Sequence, residues 1–278
     1  MSDVSTFLPS HSVVTAPNAA PTRFMFVLHG IFGSGGNFRT FIRRLVDACP
    51  AWGFVLVDLR GHGQSLDAPA PHTLESAARD LVHLGAHLKL NMRGIMGHSF
   101  GGKVSLAYAQ MRRDELDEVW VLDSTPSVRI DGMKTVGAAH VLDTLDKLPE
   151  TVPSREFFIQ HMTASGMDRP QIDWLAMNVR RDGDAFRFRL DLSTIRALLE
   201  DYFTRDLWSV VEQSDAQGRL GFIIGGRSIT LSPSDRDRLS KLAMTRANLE
   251  VHTLPNADHW VHVDDPDGLF AILVRALG

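Results

Sequence analysis

Short apolar runs alternate with amphipathic stretches along most of the chain. The apolar runs occur at residues 24–28, 54–57, 93–96, 119–122, 220–224 and 249–254. Continuous runs of this length are typical of strands that are covered on both faces of a parallel sheet. The stretches between them, such as 38–45, 74–88 and 102–111, carry apolar residues at helical spacing. The alternation predicts an α/β fold with a mostly parallel sheet flanked by helices, and ligand chemistry at the carboxyl ends of the strands.

The alternation stops in the middle of the chain. Residues 127–218 carry helix-like pieces, such as 195–207, that are separated by polar breaks, such as 180–184. This pattern predicts a mainly helical insertion. Residues 1–126 and 219–278 would together form the sheet domain, and a chain of 278 residues is long enough to build it around a sizeable core.

A candidate nucleophile lies between an apolar run and a helix-like stretch, in the sequence Gly97-His98-Ser99-Phe100-Gly101. A serine between two such glycines, at a strand-to-helix junction, is typical of a nucleophile elbow. The turn is so tight that side chains at Gly97 and Gly101 would clash with the neighbouring chain. The amides that begin the following helix would lie near the Ser99 oxygen, where an oxyanion forms during acyl transfer.

A serine needs a base to become a nucleophile near neutral pH, and histidine has the suitable pKa. Among the twelve histidines, His259 is the best placed, because it follows the last apolar run in a loop at the strand ends. His262 is its competitor, but Val261 and Val263 around it indicate an extended piece or the approach to the final helix. The order serine, acid, histidine along the chain also favours His259.

Two aspartates compete for the role of the acid that orients the histidine. Asp123 directly follows the apolar run 119–122, and a carboxylate buried there needs a partner such as an imidazole N–H. Asp235 follows Pro233, where it has the position of a first-turn acid of a helix. Asp123 is also open to interpretation as a turn residue that bonds its own backbone. We favour Asp123 as the acid, with Asp235 as the alternative.

An oxyanion hole needs two backbone donors. One is expected at the amide of Phe100, directly after the nucleophile, and the other at the amide of Ile31 or Phe32. His29 and His98 are interpreted as scaffold residues of these loops rather than as proton carriers.

Taken together, these motifs resemble those of the α/β-hydrolase superfamily, in order and in spacing. They are His29-Gly30, Asp58-x-Arg60-Gly61-His62-Gly63-x-Ser65, Gly97-His98-Ser99-Phe100-Gly101-Gly102 and Asp258-His259. Finer details resemble a subgroup of small intracellular serine esterases: His29-Gly30-Ile31-Phe32-Gly33-Ser34, Gly102-Lys103 and Asp123-x-x-Pro126. The resemblance covers nearly the whole chain outside the insertion. It implies that the insertion is a cap over the pocket, and it supports an acid after the sixth strand of that fold, at Asp123. The departure is that no acid directly follows the run 220–224, where the superfamily most often has one.

Composition excludes several other classes of function. The net charge of −4 gives no reason to expect a nucleic-acid partner, because a basic face is needed to neutralise phosphates. The single cysteine, Cys49, excludes an internal disulfide and a zinc–thiolate cluster. The run 24–28 is too short for a signal core or a membrane span, so we expect a cytoplasmic protein without membrane insertion.

No cofactor or metal is expected. The sequence from Gly97 to Lys103 is close to a phosphate-binding loop, but Val104 stands where Ser or Thr would hold magnesium. The glycines of residues 33–36 lack the spacing of a dinucleotide site. The acids and histidines of residues 258–264 have no ligand geometry fixed by the sequence.

The motifs predict a serine hydrolase that cleaves carboxylic esters or thioesters of small to medium acyl chains, through a Ser99–His259–Asp123 triad and an acyl-enzyme. Two alternatives stay open: a C–C bond hydrolase or perhydrolase-like enzyme of the same fold, and a non-catalytic protein that binds a ligand in the capped pocket. Four arginines of the insertion are interpreted as a solvated surface rather than as an anion site: Arg180, Arg181, Arg187 and Arg189. The sequence does not indicate the substrate-binding residues or the oligomeric state.

Overall fold

A computed structural model describes residues 7–135, 138–212 and 218–278. The strands in these residues are β1 (His11–Val14), β2 (Arg23–Leu28), β3 (Trp52–Val57), β4 (Met92–His98), β5 (Glu118–Leu122), β6 (Val179–Asp182), β7 (Ala185–Phe188), β8 (Arg219–Gly225) and β9 (Leu249–Leu254). Seven of these described strands form one sheet in the order β1-β3-β2-β4-β5-β8-β9. All neighbours in it are parallel except β1, which pairs antiparallel with β3 at the edge. Each of the six predicted apolar runs lies in a strand of this sheet.

The described helices surround the sheet and connect its strands. They are α1 (Arg39–Ala48), α2 (Leu74–Leu88), α3 (Phe100–Arg112), α4 (Gly132–Thr135), α5 (Ala138–Leu145), α6 (Arg155–Ala164), α7 (Arg169–Ala176), α8 (Leu192–Thr204), α9 (Trp208–Glu212), α10 (Pro233–Thr245), α11 (Val261–Asp264) and α12 (Pro266–Leu277). Their starts follow ordinary capping chemistry. The Thr73 hydroxyl accepts the Ser76 N–H at the start of α2, and Asp265 accepts the Gly268 N–H at the start of α12. No described helix is long and apolar enough to cross a bilayer.

The apolar core lies on both faces of the sheet. Side chains of α1 and α12 pack on one face, and those of α2 and α3 pack on the other together with the insertion. Strands β3 and β5 are buried at every residue, as expected for central strands of a doubly covered sheet. This layering leaves the carboxyl ends of β4, β5, β8 and β9 side by side, beneath the insertion.

The insertion lies between β5 and β8 and contains the helices α4–α9. It also contains the antiparallel hairpin β6–β7, which the sequence did not predict. The polar residues 180–184 that indicated a break form the exposed end of this hairpin, whose turn has Gly183 at a φ of +63°. Parts of the predicted domains lie outside the described residues: 1–6 in the sheet domain, and 136–137 and 213–217 in the insertion. The domain boundaries stay a prediction.

Candidate active site

Ser99 lies in a strained turn between β4 and α3. Its φ and ψ angles are +52° and −116°, a conformation that L-residues rarely adopt. A Cβ atom built at Gly97 would lie 2.1 Å from the Gly101 carbonyl oxygen, and one at Gly101 would lie 2.5 Å from the His29 carbonyl oxygen. The steric requirement predicted for both glycines is therefore confirmed. The strain holds the Ser99 side chain at the carboxyl edge of the sheet.

Three side chains from separate loops form one hydrogen-bonded series. His259, in the loop after β9, has its Nε2 atom 3.0 Å from the Ser99 Oγ atom. The Nδ1 atom of His259 lies 2.7 Å from the Asp123 Oδ2 atom. The structure thus brings together the residues predicted as nucleophile, base and acid, at distances suitable for proton transfer.

Asp123 is fully buried, and its carboxylate is satisfied by groups from the neighbouring loop. The Gly225 N–H donates to Oδ1 at 2.9 Å, and the Ser228 hydroxyl donates to Oδ2 at 2.5 Å. The Thr230 hydroxyl lies 2.9 Å from His259 Nδ1 and 3.1 Å from the Ser228 hydroxyl. The donors Gly225 and Ser228 offset the cost of burying the Asp123 carboxylate.

The sequence did not indicate the contacts of Ser228 and Thr230 with Asp123 and His259. The available signal was their position after β8, where the superfamily most often has its acid. In this chain the loop after β8 has no acid directly after the strand, and it instead supplies hydrogen-bond donors to an acid that follows β5. The departure from the common pattern therefore has a structural counterpart.

Asp235, the alternative acid, contacts a different set of groups. It lies in the first turn of α10, as predicted, and its carboxylate accepts hydrogen bonds from the hydroxyls of Thr125 at 2.9 Å and Ser127 at 2.6 Å. These contacts connect α10 to the start of the insertion. Of these two aspartates, Asp123 is the one whose carboxylate contacts the imidazole ring of His259.

The two candidate donors near residue 31 differ in their hydrogen bonding. The Phe32 N–H donates to the His62 Nε2 atom at 3.2 Å and is therefore already engaged. Within residues 7–135, 138–212 and 218–278, no acceptor bonds the Ile31 N–H. Phe100 is the first residue of α3, so its N–H has no intrahelical partner, and both Ile31 and Phe100 line the cavity beside Ser99. This arrangement favours Ile31 over Phe32 as the second donor.

The other histidines near the site are buried and held neutral. Burial lowers the pKa of His29 to about 4 and that of His62 to about 3. His29 donates from Nδ1 to the Gly30 carbonyl at 2.8 Å and accepts the Leu59 N–H at Nε2. These contacts support the interpretation of His29 as a scaffold residue.

His98 and His262 pack beside His259. His98 Nε2 lies 2.7 Å from the His259 carbonyl oxygen, and burial lowers the pKa of His98 well below its usual range, so a neutral His98 holds the backbone of His259. Burial also lowers the pKa of His262 to about 3, and its ring stacks on Phe38 with centroids 4.4 Å apart. His262 is thus a packing residue, and His259 is the histidine that reaches Ser99.

A cavity of about 340 Å³ opens beside Ser99 and His259. The insertion supplies most of its apolar wall, from Ala138, Val141, Trp174, Leu175, Leu199, Tyr202 and Phe203. Among the described residues, the lining of the cavity includes one arginine and one carboxylate, Arg129 and Asp258. The volume is at the small end of the range for small-molecule sites.

Lys103 connects the elbow helix α3 to the insertion. Its ammonium group donates to the Ser127 carbonyl at 2.8 Å and to the Tyr202 carbonyl at 2.7 Å. Burial lowers the pKa of Lys103 to about 8. One buried side chain thus bonds both the first residues of the insertion and α8, one helical turn from Ser99.

The described residues contain no group of three or more His, Cys, Asp or Glu side chains placed to hold a metal ion. The chemistry available at the site is that of its serine, histidine and aspartate, with backbone amides as donors.

Comparisons with known proteins identify a family and relatives that this chain is similar to. A family model described as "Alpha/beta hydrolase family" matches residues 25–272. The sn-1-specific diacylglycerol lipase ABHD11 of Mus musculus is 29% identical over 242 residues, which cover 86% of this chain and 76% of the relative. Esterase YbfF of Escherichia coli (strain K12) is 26% identical over 265 residues, which cover 95% of this chain and 96% of the relative.

A solved structure titled "Marine microorganism esterase" superposes with a TM-score of 0.79 at 20% identity, and the match covers 97% of this chain and 99% of that chain. A likeness at this identity concerns the fold. The predicted fold class, a mostly parallel sheet flanked by helices, is confirmed.

Proposed function

The chain belongs to the alpha/beta hydrolase family, and we propose that it is a serine hydrolase that cleaves carboxylic esters. The observation that carries this proposal is the hydrogen-bonded series Ser99–His259–Asp123 at the wall of a mostly apolar cavity. A protein that only binds a ligand has no physical need of a serine, a base and a buried acid in contact.

The first half of the reaction forms an acyl-enzyme. The Ser99 oxygen attacks the ester carbonyl carbon while His259 Nε2 takes the hydroxyl proton. Asp123 accepts the proton on Nδ1 in a hydrogen bond, which selects the reactive tautomer and stabilises the imidazolium. The amides of Ile31 and Phe100 donate to the oxyanion, and His259 then protonates the leaving alcohol.

The second half of the reaction releases the acid. A water molecule takes the place of the alcohol, His259 removes its proton, and the resulting hydroxide attacks the acyl carbonyl. Collapse of the tetrahedral intermediate returns the proton from His259 to Ser99. No step requires a cofactor or a metal ion.

The substrate class follows from the relatives and from the cavity. The two relatives compared above are named as an esterase and a diacylglycerol lipase, so oxygen esters are favoured over the C–C substrates of other enzymes with this fold. The small cavity supports acyl groups of small to medium length. In this proposal the insertion acts as the cap, because it supplies most of the apolar wall. The cytoplasmic location, inferred from the short apolar run 24–28, and the absence of a nucleic-acid partner, inferred from the net charge, stay predictions.

The decisive experiment measures hydrolysis of p-nitrophenyl esters from acetate to palmitate, with Ser99→Ala as the matched variant. We expect turnover that falls about 10⁴- to 10⁶-fold in the variant, because the nucleophile is lost while the fold is kept. Circular dichroism and the melting temperature check that the variant is folded. Turnover that survives Ser99→Ala would contradict the proposal.

A second measurement separates the enzyme from the ligand-binding alternative. A fluorophosphonate should label the protein at Ser99 and leave Ser99→Ala unlabelled, because only an activated serine reacts. An unreactive Ser99, with tight binding of a small molecule, would favour the non-catalytic alternative.

A further inference from the structure

Arg129 contributes a cation to the wall of the catalytic cavity. It lies in the loop between β5 and α4 and is partly buried. Among the described residues, no carboxylate forms an ion pair with Arg129. Its situation differs from that of nearby arginines, because Arg196 and Arg205 each pair with acids on the protein.

The guanidinium group of Arg129 is held close to the catalytic base. Its Nη1 atom donates to the Thr230 carbonyl at 3.3 Å, and the Thr230 hydroxyl lies 2.9 Å from His259 Nδ1. The Arg129 N–H donates to the Phe203 carbonyl at 2.7 Å. Since Phe203 and Thr230 both line the cavity, these bonds fix Arg129 between the insertion and the loop after β8.

The neighbouring acids are engaged elsewhere. Asp258, which also lines the cavity, accepts the His259 N–H at 2.8 Å. Asp235 accepts the two hydroxyls of the Thr125–Ser127 turn. Asp131 is exposed. Among the described residues, the partly desolvated guanidinium of Arg129 has a single carbonyl acceptor. It therefore retains donors that a carboxylate would satisfy as a charge-assisted, bidentate pair.

We propose that Arg129 is a specificity residue that binds a carboxylate carried by the ester substrate. This inference rests on the proposed esterase function and narrows its substrate class to esters with an anionic group on the acyl or the alcohol part. The bond that breaks is the ordinary ester bond, by the route described above, and the anion only positions the substrate.

The test compares charged and neutral esters of matched shape. On the acyl side, p-nitrophenyl hemisuccinate is paired with p-nitrophenyl 4-methylpentanoate, in which an isopropyl group replaces the carboxylate. On the alcohol side, 4-acetoxybenzoate is paired with 4-isopropylphenyl acetate. The readout is the ratio of kcat/KM for the charged and neutral ester, which cancels differences in folding or enzyme concentration between variants.

The variants are Arg129→Met, Arg129→Lys and Arg227→Met. We expect Arg129→Met to lower the charged-to-neutral ratio about 10- to 100-fold for either the acyl-side or the alcohol-side pair of esters, because a hydrogen bond to a charged group is lost. Arg129→Lys keeps the positive charge, so its ratio should lie between those of Arg129→Met and the wild type. Arg227, an exposed cation in the loop after β8 that does not line the cavity, is the control, and its variant should keep the wild-type ratio.

A direct binding measurement makes the test independent of turnover. In the Ser99→Ala protein, the 4-nitroanilide of succinic acid should bind more tightly than that of 4-methylpentanoic acid, and Arg129→Met should abolish the difference in Kd. Unchanged ratios in both arms together with equal Kd values would overturn the role of Arg129. If the wild-type protein hydrolyses none of these esters through Ser99, that result would count against the proposed function instead. The Kd values would still decide the role of Arg129.

Discussion

The sheet domain contains a buried ion pair, whereas each ion pair described within the insertion has at least one exposed side chain. In the sheet domain, Arg60 and Asp80 form a two-pronged pair at 2.7 and 2.9 Å, with both side chains less than 10% exposed. In the insertion, Arg187 pairs with Glu150 at 2.6 Å, with the side chains 39% and 79% exposed. The distances in both pairs suit strong hydrogen bonds, but solvent screens the Arg187–Glu150 pair and not the Arg60–Asp80 pair.

This difference in burial indicates different roles for the sheet domain and the insertion. Groups that must keep one position are buried and fully bonded in the sheet domain, as Asp123 is by Gly225 and Ser228. The insertion turns mostly apolar side chains toward the cavity, and Arg129 is its one charged residue in that wall among the described residues. The positions of the reacting groups therefore depend on the sheet domain, and the shape of the substrate site depends on the insertion.

The largest expected effect distinguishes the two aspartates. Asp123→Asn should lower kcat/KM for a p-nitrophenyl ester about 10⁴-fold, because an amide no longer selects the reactive tautomer of His259. Asp235→Asn changes a group that bonds the start of the insertion, so the loss should stay below about 10-fold. Steady-state kinetics of both variants measures the difference. Equal losses, or a larger loss in Asp235→Asn, would contradict the assignment of the acid.

The next effect is on stability and uses the two ion pairs. Asp80→Ala should lower the free energy of unfolding by about 3–5 kcal/mol, because it leaves the buried Arg60 guanidinium without the carboxylate that balances its charge. Glu150→Ala should lower it by less than about 1 kcal/mol, because that pair is exposed. Urea denaturation of both variants and the wild type measures the two losses. Similar losses of unfolding free energy in the two variants would contradict the expected dependence on burial.

A smaller effect concerns acid stability. Burial lowers the pKa of His262 to about 3 in the folded protein, from an ordinary value of 6.5. Between these values the unfolded chain binds one more proton at His262, so the free energy of unfolding falls as the pH falls, by about 1.4 kcal/mol per pH unit. His262→Phe, which keeps a ring against Phe38, should make this decline shallower by that amount.

Urea denaturation between pH 7 and pH 4.5 measures the slope for this variant. His140 is an exposed histidine of the insertion, and His140→Gln serves as the control. A slope that does not change in His262→Phe would show that the folded protein accepts a proton at His262 in this range.

Much of the fold was predictable because the signals are local. Six apolar runs indicated six strands, and each lies in the sheet. The glycines around Ser99 indicated a turn that only small residues can form, and the distances at Gly97 and Gly101 agree. The hairpin β6–β7 was missed, since its polar residues resemble a loop when the burial of one face is unknown.

For the candidate site, the sequence indicated which residues lie at the ends of the strands. Only the structure decided which of those residues are in contact. Ser228 is 105 residues from Asp123 along the chain, yet it bonds that carboxylate, because β5 and β8 are neighbours in the sheet. The choice of Ile31 over Phe32 depends on the contact with His62, and the place of Arg129 in the cavity wall depends on how the insertion folds back. Periodicity along a chain reports burial, because burial repeats with the geometry of each helix or strand. The partner of a polar side chain depends on strand order and loop approach across the whole domain, and these are properties of the tertiary structure.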